Sequence, residues 1–288
     1  MYRNLVTFSI LILTVFFLAS LPLSIVVSGG SLHINWAVAF EHISMFFKGV
    51  LSGKTFTYVE GEDRIQSFFA DIPSHFVTSF LYLLIASLIA ISFSLVLSIW
   101  VSLTQKEWIK DIIGLLSVIP DFIMIIFLQI FVVYIYEEYG IALSRVATRS
   151  STEPAILLPL MVMVLIPLIY LIRSLSERSF DIMTEDYILS AKSKGIKKLH
   201  IIIHHVIRNI LPFLKADLHK VLAIMMSNLF IVEYLFNING LSAFIFNSYS
   251  YQFNLTVNTL FSLTIVYMLL YFCLIIFIKF LERVFAND

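Results

Sequence analysis

Apolar residues gather into six long segments along the chain, at about Leu5–Val27, Phe76–Leu103, Ile112–Tyr136, Ala155–Ile172, Phe213–Phe236 and Val257–Phe280. Each reaches or nearly reaches the ~20 residues that cross ~30 Å of hydrocarbon at 1.5 Å per residue. The pattern predicts an all-α membrane protein with six transmembrane helices. The fourth segment is short and holds Pro159 and Pro167. The fifth carries Lys215, Asp217, His219 and Lys220 in its first two turns. A buried place in the bundle, or a start inside the cytoplasm, would account for that polarity.

Charge orients the spans. Fourteen of the nineteen lysines and arginines fall in the segments that are cytoplasmic if the N-terminus is inside, and five fall outside. This asymmetry predicts an N-in, C-in chain. The expected organisation is a first helix at 1–27, an extracytoplasmic loop at 28–73, a core at 74–283 and a short tail at 284–288. Within the loop, Trp36–Leu51 is modestly amphipathic and Gly53–Asp63 is polar, which suits a cap over the bundle or a contact with an external partner.

Composition agrees with a membrane solvent: 60% of the chain is apolar and 13% charged, against roughly 45–50% and 25% in soluble domains. The 23-residue first segment exceeds the 7–15-residue core of a signal peptide, so an uncleaved span is expected. Equal numbers of acidic and basic residues give no field to attract nucleic acid. The single Cys273 offers neither an intramolecular disulfide nor a cysteine metal site. No GxxxxGK[ST] occurs, and no HExxH or GxSxG. The chain is therefore expected to bind no cofactor and to perform no catalysis of its own. His200 and His204 stand at i, i+4, yet no acidic or cysteine ligand lies near them in sequence.

The most polar stretch, about 176–212, contains TEDYILSAKSKGIKKLHIIIHHVIRNILP from Thr184. Thr184 is a plausible N-cap, and Glu185 with Asp186 suits the positive end of a helix. Lys192 and Lys194 suit the last turn, and Gly195 suits a left-handed cap. This predicts a short helix over about 185–194. A second, amphipathic helix should follow, with Leu199, Ile202, Ile203, Val206 and Ile210 on one face. Pro212 should begin the fifth span as a new helix. Such a pair could rest on anionic lipid or dock a cytoplasmic partner.

These residues resemble a known family. Glu185-Asp186-Tyr187, Ser190-Ala191-Lys192-Ser193-Lys194-Gly195, His205, Arg208-Asn209 and Leu211-Pro212 look like the cytoplasmic loop of ABC importer permeases, most closely the oligopeptide/dipeptide/nickel branch. Val232-Glu233-Tyr234-Leu235-Phe236 with Gly240-Leu241, Ile119-Pro120-Asp121-Phe122 and Phe47–Gly53 resemble further segments of that family. Asn239 and Ser242 depart from its usual proline and glycine.

The resemblance implies a type I ABC importer permease bundle, with energy supplied by a separate ATPase that uses ATP and Mg. The loop helix would insert into a groove on that ATPase, with Tyr187, Ile188 and Ala191 as its apolar contact and Lys192 and Lys194 as an electrostatic rim. Expected partners are a second homologous permease, one or two ABC ATPases, an extracytoplasmic solute-binding protein and the lipid bilayer. Candidate path residues are Asp121, Gln129, Met225, Asn228 and Glu233. The competing readings are an ion-coupled secondary transporter and a non-transporting scaffold derived from a permease.

Overall fold

A computed structural model describes residues 2–28, 31–61, 64–104, 106–150, 153–246 and 250–286. The expected tail at 284–288 lies partly outside these residues, as does Asp63 at the end of the polar loop region. The chain divides into two compact units, residues 1–79 with 239–266 and residues 80–238 with 267–288.

The first unit begins with α1 (Tyr2–Ser24) and the antiparallel pair β1 (Ile25–Ser28) and β2 (Ser31–Ile34). Next come α2 (Trp36–Ser52), a single 3₁₀ turn (Lys54–Phe56) and the antiparallel pair β3 (Thr57–Glu60) and β4 (Arg64–Ser67). The unit also holds the start of α3 (Phe68–Thr104), short α10 (Ala243–Phe246) and the start of α11 (Phe253–Ala286). The 28–73 loop thus places α2 over the expected amphipathic stretch, and the two hairpins flanking it were not foreseen. Each strand is four residues long, too short for alternation to stand out. Pairing at Ile25 also ends the first helix earlier than its apolar run.

Aromatic packing holds this unit. Phe16, Phe46 and Phe253 are buried together with Val15, Ala19 and Val257, and the Phe16 and Phe46 rings meet edge to face at 5.2 Å. Asn258 Nδ2 donates to the Thr55 carbonyl at 2.9 Å, and Thr55 Oγ1 donates to the Phe46 carbonyl at 2.7 Å. Gly49 lets this turn close, because a Cβ there would collide with Thr55 Oγ1. Gln252 clamps Val59 from both sides, accepting from its N–H at 2.8 Å and donating to its carbonyl at 2.7 Å.

The second unit contains the rest of α3 and α11 with α4 (Glu107–Leu116), α5 (Asp121–Tyr139), α6 (Leu157–Thr184), α7 (Asp186–Ser193), α8 (Lys198–Ile201) and α9 (Arg208–Leu235). Its spine is α6 against α9. Leu158, Val162, Leu171 and Leu175 are enclosed on α6, and Leu211, Leu214, Leu218, Val221 and Leu229 on α9. Serine and alanine at 86, 87, 90, 94 and 98 are fully buried on α3. Small side chains permit the close helix approach that lipid, itself apolar, cannot drive by the hydrophobic effect.

Among the described residues, five helices are long and apolar enough to cross a membrane: α3, α5, α6, the continuous 198–235 helix and α11. The first expected span corresponds to α1, whose described apolar stretch, Ser9–Ser24, is shorter. The expected third span is divided. Its first residues form α4, and the extended backbone of Pro120 (ψ 141°) separates them from α5. Pro212 does not open a new helix. The helix runs through it, after a π-helical turn over Ile202–Ile207. That wide turn loosens the ladder just upstream, where the proline ring would otherwise press on the preceding turn.

Candidate functional site

The loop after α6 is built from three local devices. First, α6 ends at Thr184, whose Oγ1 donates back to the Asp181 carbonyl at 2.8 Å. Thr184 is therefore not the N-cap expected of it. Glu185 takes that position with extended backbone (φ −63°, ψ 144°), and Asp186 supplies the negative charge in the first turn of α7. Second, Gly195 adopts φ +75°. The N–H groups of Gly195 and Ile196 bond the carbonyls of Lys192 and Ala191, at 3.0 and 3.2 Å. This is a Schellman stop, as the glycine suggested. Third, Lys192 Nζ reaches back to the Met183 carbonyl at 3.3 Å, capping α6 rather than standing free at a rim.

The two faces of α7 differ from expectation. Ile188 is fully buried and Ala191 nearly so, packed with Ile201. Both are turned into this chain and do not form a free contact surface. The helix is short and must bury its own apolar face before it can hold a position. The apolar side chains left outside are Tyr187 and Leu189, 44% and 49% exposed, with Ile196 and Leu199 beyond the turn. Tyr187 Oη accepts from Asn209 Nδ2 at 2.8 Å, and its ring meets His205 edge on at 6.0 Å. Nothing in the spacing of Tyr187 and Asn209 announced that bond. A cavity of about 370 Å³ behind α7 is lined by Leu103, Met183, Lys192, Ile202 and Val206.

The His200 and His204 rings lie 4.1 Å apart. Among the described residues no group of three or more potential metal ligands forms.

The candidate path residues are not brought together. Met225, Asn228 and Glu233 are all buried within the second unit, at 1%, 1% and 3% exposure. Glu233 is enclosed, in the electrostatic neighbourhood of Tyr82, whose Oη donates to the Ala155 carbonyl at 2.7 Å. Its own carbonyl accepts from the Ile238 N–H at 2.9 Å, in the turn that closes α9. Gln129 also serves that turn, donating to the carbonyls of Leu235 and Val146 at 3.3 and 3.4 Å. Asn237 (φ +51°) completes it, donating to the Thr148 carbonyl at 3.0 Å. Asp121 lines an open cavity of about 330 Å³, with Ser117, Tyr170 and Arg173. Among the described residues, Asn228 has no hydrogen-bond partner at either amide atom.

The polar start of the fifth span is explained by partners. Ser174 Oγ donates to Asp217 Oδ2 at 2.6 Å, and Lys220 lies 3.6 Å from the same carboxylate. His219 Nδ1 is 2.7 Å from Tyr267 Oη, and its ring stacks on Tyr271 at 4.5 Å.

Residues 90–286 match the family described as the binding-protein-dependent transport system inner membrane component. The chain belongs to that family. It is a permease component of ABC importers and a multi-pass protein of the bacterial cytoplasmic membrane. The permease is 26% identical over 178 residues to the dipeptide transport system permease protein DppB of Bacillus subtilis (strain 168). That alignment takes in 60% of the permease and 56% of the relative, so it spans little more than half of DppB. The family match over residues 90–286 contains α7, the Schellman stop and the clamped end of α9.

Proposed function

We propose that the chain is one half of the membrane pathway of an ATP-driven importer for dipeptides, oligopeptides or a similar small polar solute. A separate ATPase would dock on the 185–195 loop, burn ATP with Mg, and return the conformational change to α6 and α9. A second permease would supply the other half of the pathway, and an external binding protein would deliver solute. In this reading the N- and C-termini face the cytoplasm, as the lysine and arginine count requires.

One observation carries the coupling role. α7 is short and held near its start by the Tyr187–Asn209 bond and at its end by the Lys192 link to α6 and the Gly195 stop, yet shows Tyr187 and Leu189 to the outside. A rigid knob with an apolar tip suits insertion into a partner's groove. The peptide class rests on the similarity to DppB.

Tagged chain purified from its native membrane and reconstituted in vesicles tests the proposal. Peptide uptake that requires ATP inside the ATPase-bearing compartment is expected, with a co-purified permease and ATPase. Uptake by the single polypeptide, driven by a proton or sodium gradient without ATP, would favour the secondary-transporter reading.

A further inference from the structure

In the second unit, a cavity of about 370 Å³ opens between the end of α3, the amphipathic helix α4 and the middle of α6. Its wall carries charges of both signs, Lys110 and Arg173 against Glu177 and Asp181. Arg173 and Glu177, at i, i+4 on α6, would ordinarily pair with one another. Here no ion pair joins Lys110, Arg173 or Glu177 to an opposite charge among the described residues, and Asp181 meets only Arg178, at 3.8 Å. Arg173 is held in place by Ser117, its Nη1 donating to Oγ at 3.5 Å. Ser102 and Ser176 also line the wall, and its apolar part is Val101, Ile113 and Phe180, beside the packed cluster of Val101, Ile109 and Ile172.

Depth in the membrane narrows the occupant. The apolar run of α6 ends at Ile172 and that of α3 at Leu103, so this cavity lies where hydrocarbon gives way to headgroups. Trp100 and Trp108 are both more than half exposed there, as aromatic side chains of the interfacial belt are. Helix α4 exposes Trp108, Ile112 and Leu115 along one face, which suits a helix lying in the interface with acyl chains beneath it.

We infer that this cavity binds the headgroup of a phospholipid whose own charges match it, an ethanolamine phospholipid. Lys110 and Arg173 take the phosphate, because an ammonium and a guanidinium both bind phosphate oxygens by charge-assisted hydrogen bonds. Glu177, one turn further along α6, takes the primary ammonium, which has three N–H donors. Val101, Ile113 and the α4 face receive the upper acyl chain. A choline headgroup carries the same charges but no N–H donor, so it satisfies the phosphate side alone. A glycerol headgroup carries the phosphate and leaves Glu177 facing a neutral hydroxyl. Sitting against α4 and α6, such a lipid would brace the helix that leads into α7.

The test is the lipid retained by the full-length protein, purified with whatever co-purifies from its membrane. The protein is equilibrated with vesicles of equal phosphatidylethanolamine, phosphatidylcholine and phosphatidylglycerol with matched acyl chains. It is then stripped in mild detergent, and the retained lipid is measured by mass spectrometry. Wild type should retain ethanolamine over choline lipid by about five-fold, equivalent to ~1 kcal/mol. Glu177→Gln should bring that ratio to near one while keeping lipid phosphate. Lys110→Gln should lower retention of all three lipids together. Both side chains are exposed, so these variants are expected to fold. If one does not, the wild-type ratio and the other variant decide. Equal retention of choline and ethanolamine lipid by wild type would overturn the inference. So would a Glu177→Gln ratio equal to wild type, a preference for phosphatidylglycerol, or displacement of the lipid by excess inorganic phosphate.

Discussion

Tyr187 Oη and Asn209 Nδ2 are bonded at 2.8 Å across 22 residues of sequence, so the short helix of the loop is joined by side chains to the start of α9. Lys192 joins the same helix to the end of α6. A push on α7 thus has a direct route into the two helices that form the spine of the second unit. Closure of a docked partner is one such push.

Removing the Tyr187 hydroxyl should separate coupling from stability. Tyr187→Phe loses one partly exposed hydrogen bond, which contributes about 0.5–1.5 kcal/mol. The variant should insert normally and still bind the ATPase, while ATP-driven uptake falls several-fold. Uptake assays beside co-purification read the two effects apart. Unchanged uptake would mean that the Tyr187–Asn209 bond carries no motion.

The two faces of α7 should respond differently. Leu189→Glu alters an exposed side chain, and stability should stay within about 0.5 kcal/mol of wild type. ATPase association should nevertheless be lost. Ile188→Ala empties a fully buried position and should cost about 2 kcal/mol or more, read as a lower melting temperature with the ATPase still bound at low temperature. A Leu189→Glu protein that holds its ATPase would show that the exposed face is not the contact.

At Gly195 the penalty is backbone conformation alone. Its φ is +75°, and an added Cβ would meet nothing within 4 Å. Gly195→Ala should therefore cost about 1–2 kcal/mol, and Gly195→Asn distinctly less, since asparagine tolerates this region. Uptake should follow the order glycine, asparagine, alanine, valine. Equal uptake across the series would show that the turn is not needed in this form.

Much of this was legible from the chain. Apolar runs located the spans because lipid imposes a length on any helix that crosses it. Gly195 announced its turn because few other residues accept positive φ. What spacing could not reveal was which side of α7 faces inward. Ile188 and Ala191 suit a partner's groove as well as they suit Ile201, and only the return of the chain through α8 decides between them. Nor could spacing decide whether Glu233 is paired or water-facing, since both suit a carboxylate near a helix end; in the fold its side chain is enclosed. The hairpins at 25–34 and 57–67 are too short for their alternation to register.

Asn228 gives a sharper test of the pathway. Both of its amide atoms lack a partner among the described residues at 1% exposure, a state that costs about 1–3 kcal/mol. Asn228→Leu should raise the melting temperature of the purified protein. If Asn228 serves the path, ATP-driven uptake should fall as stability rises. If uptake is unchanged, Asn228 plays no part in transport.

In the proposed mechanism this permease moves solute only with a separate ATPase seated on α7. Cysteine crosslinking in native membranes reads that contact, with Cys273 replaced by serine and a single cysteine placed at Leu189 or at Ile188. A crosslinked product with a co-expressed ATPase is expected from position 189, none from the buried position 188, and a yield at 189 that changes when ATP is added. No ATPase product from position 189, in membranes that still carry out uptake, would contradict it.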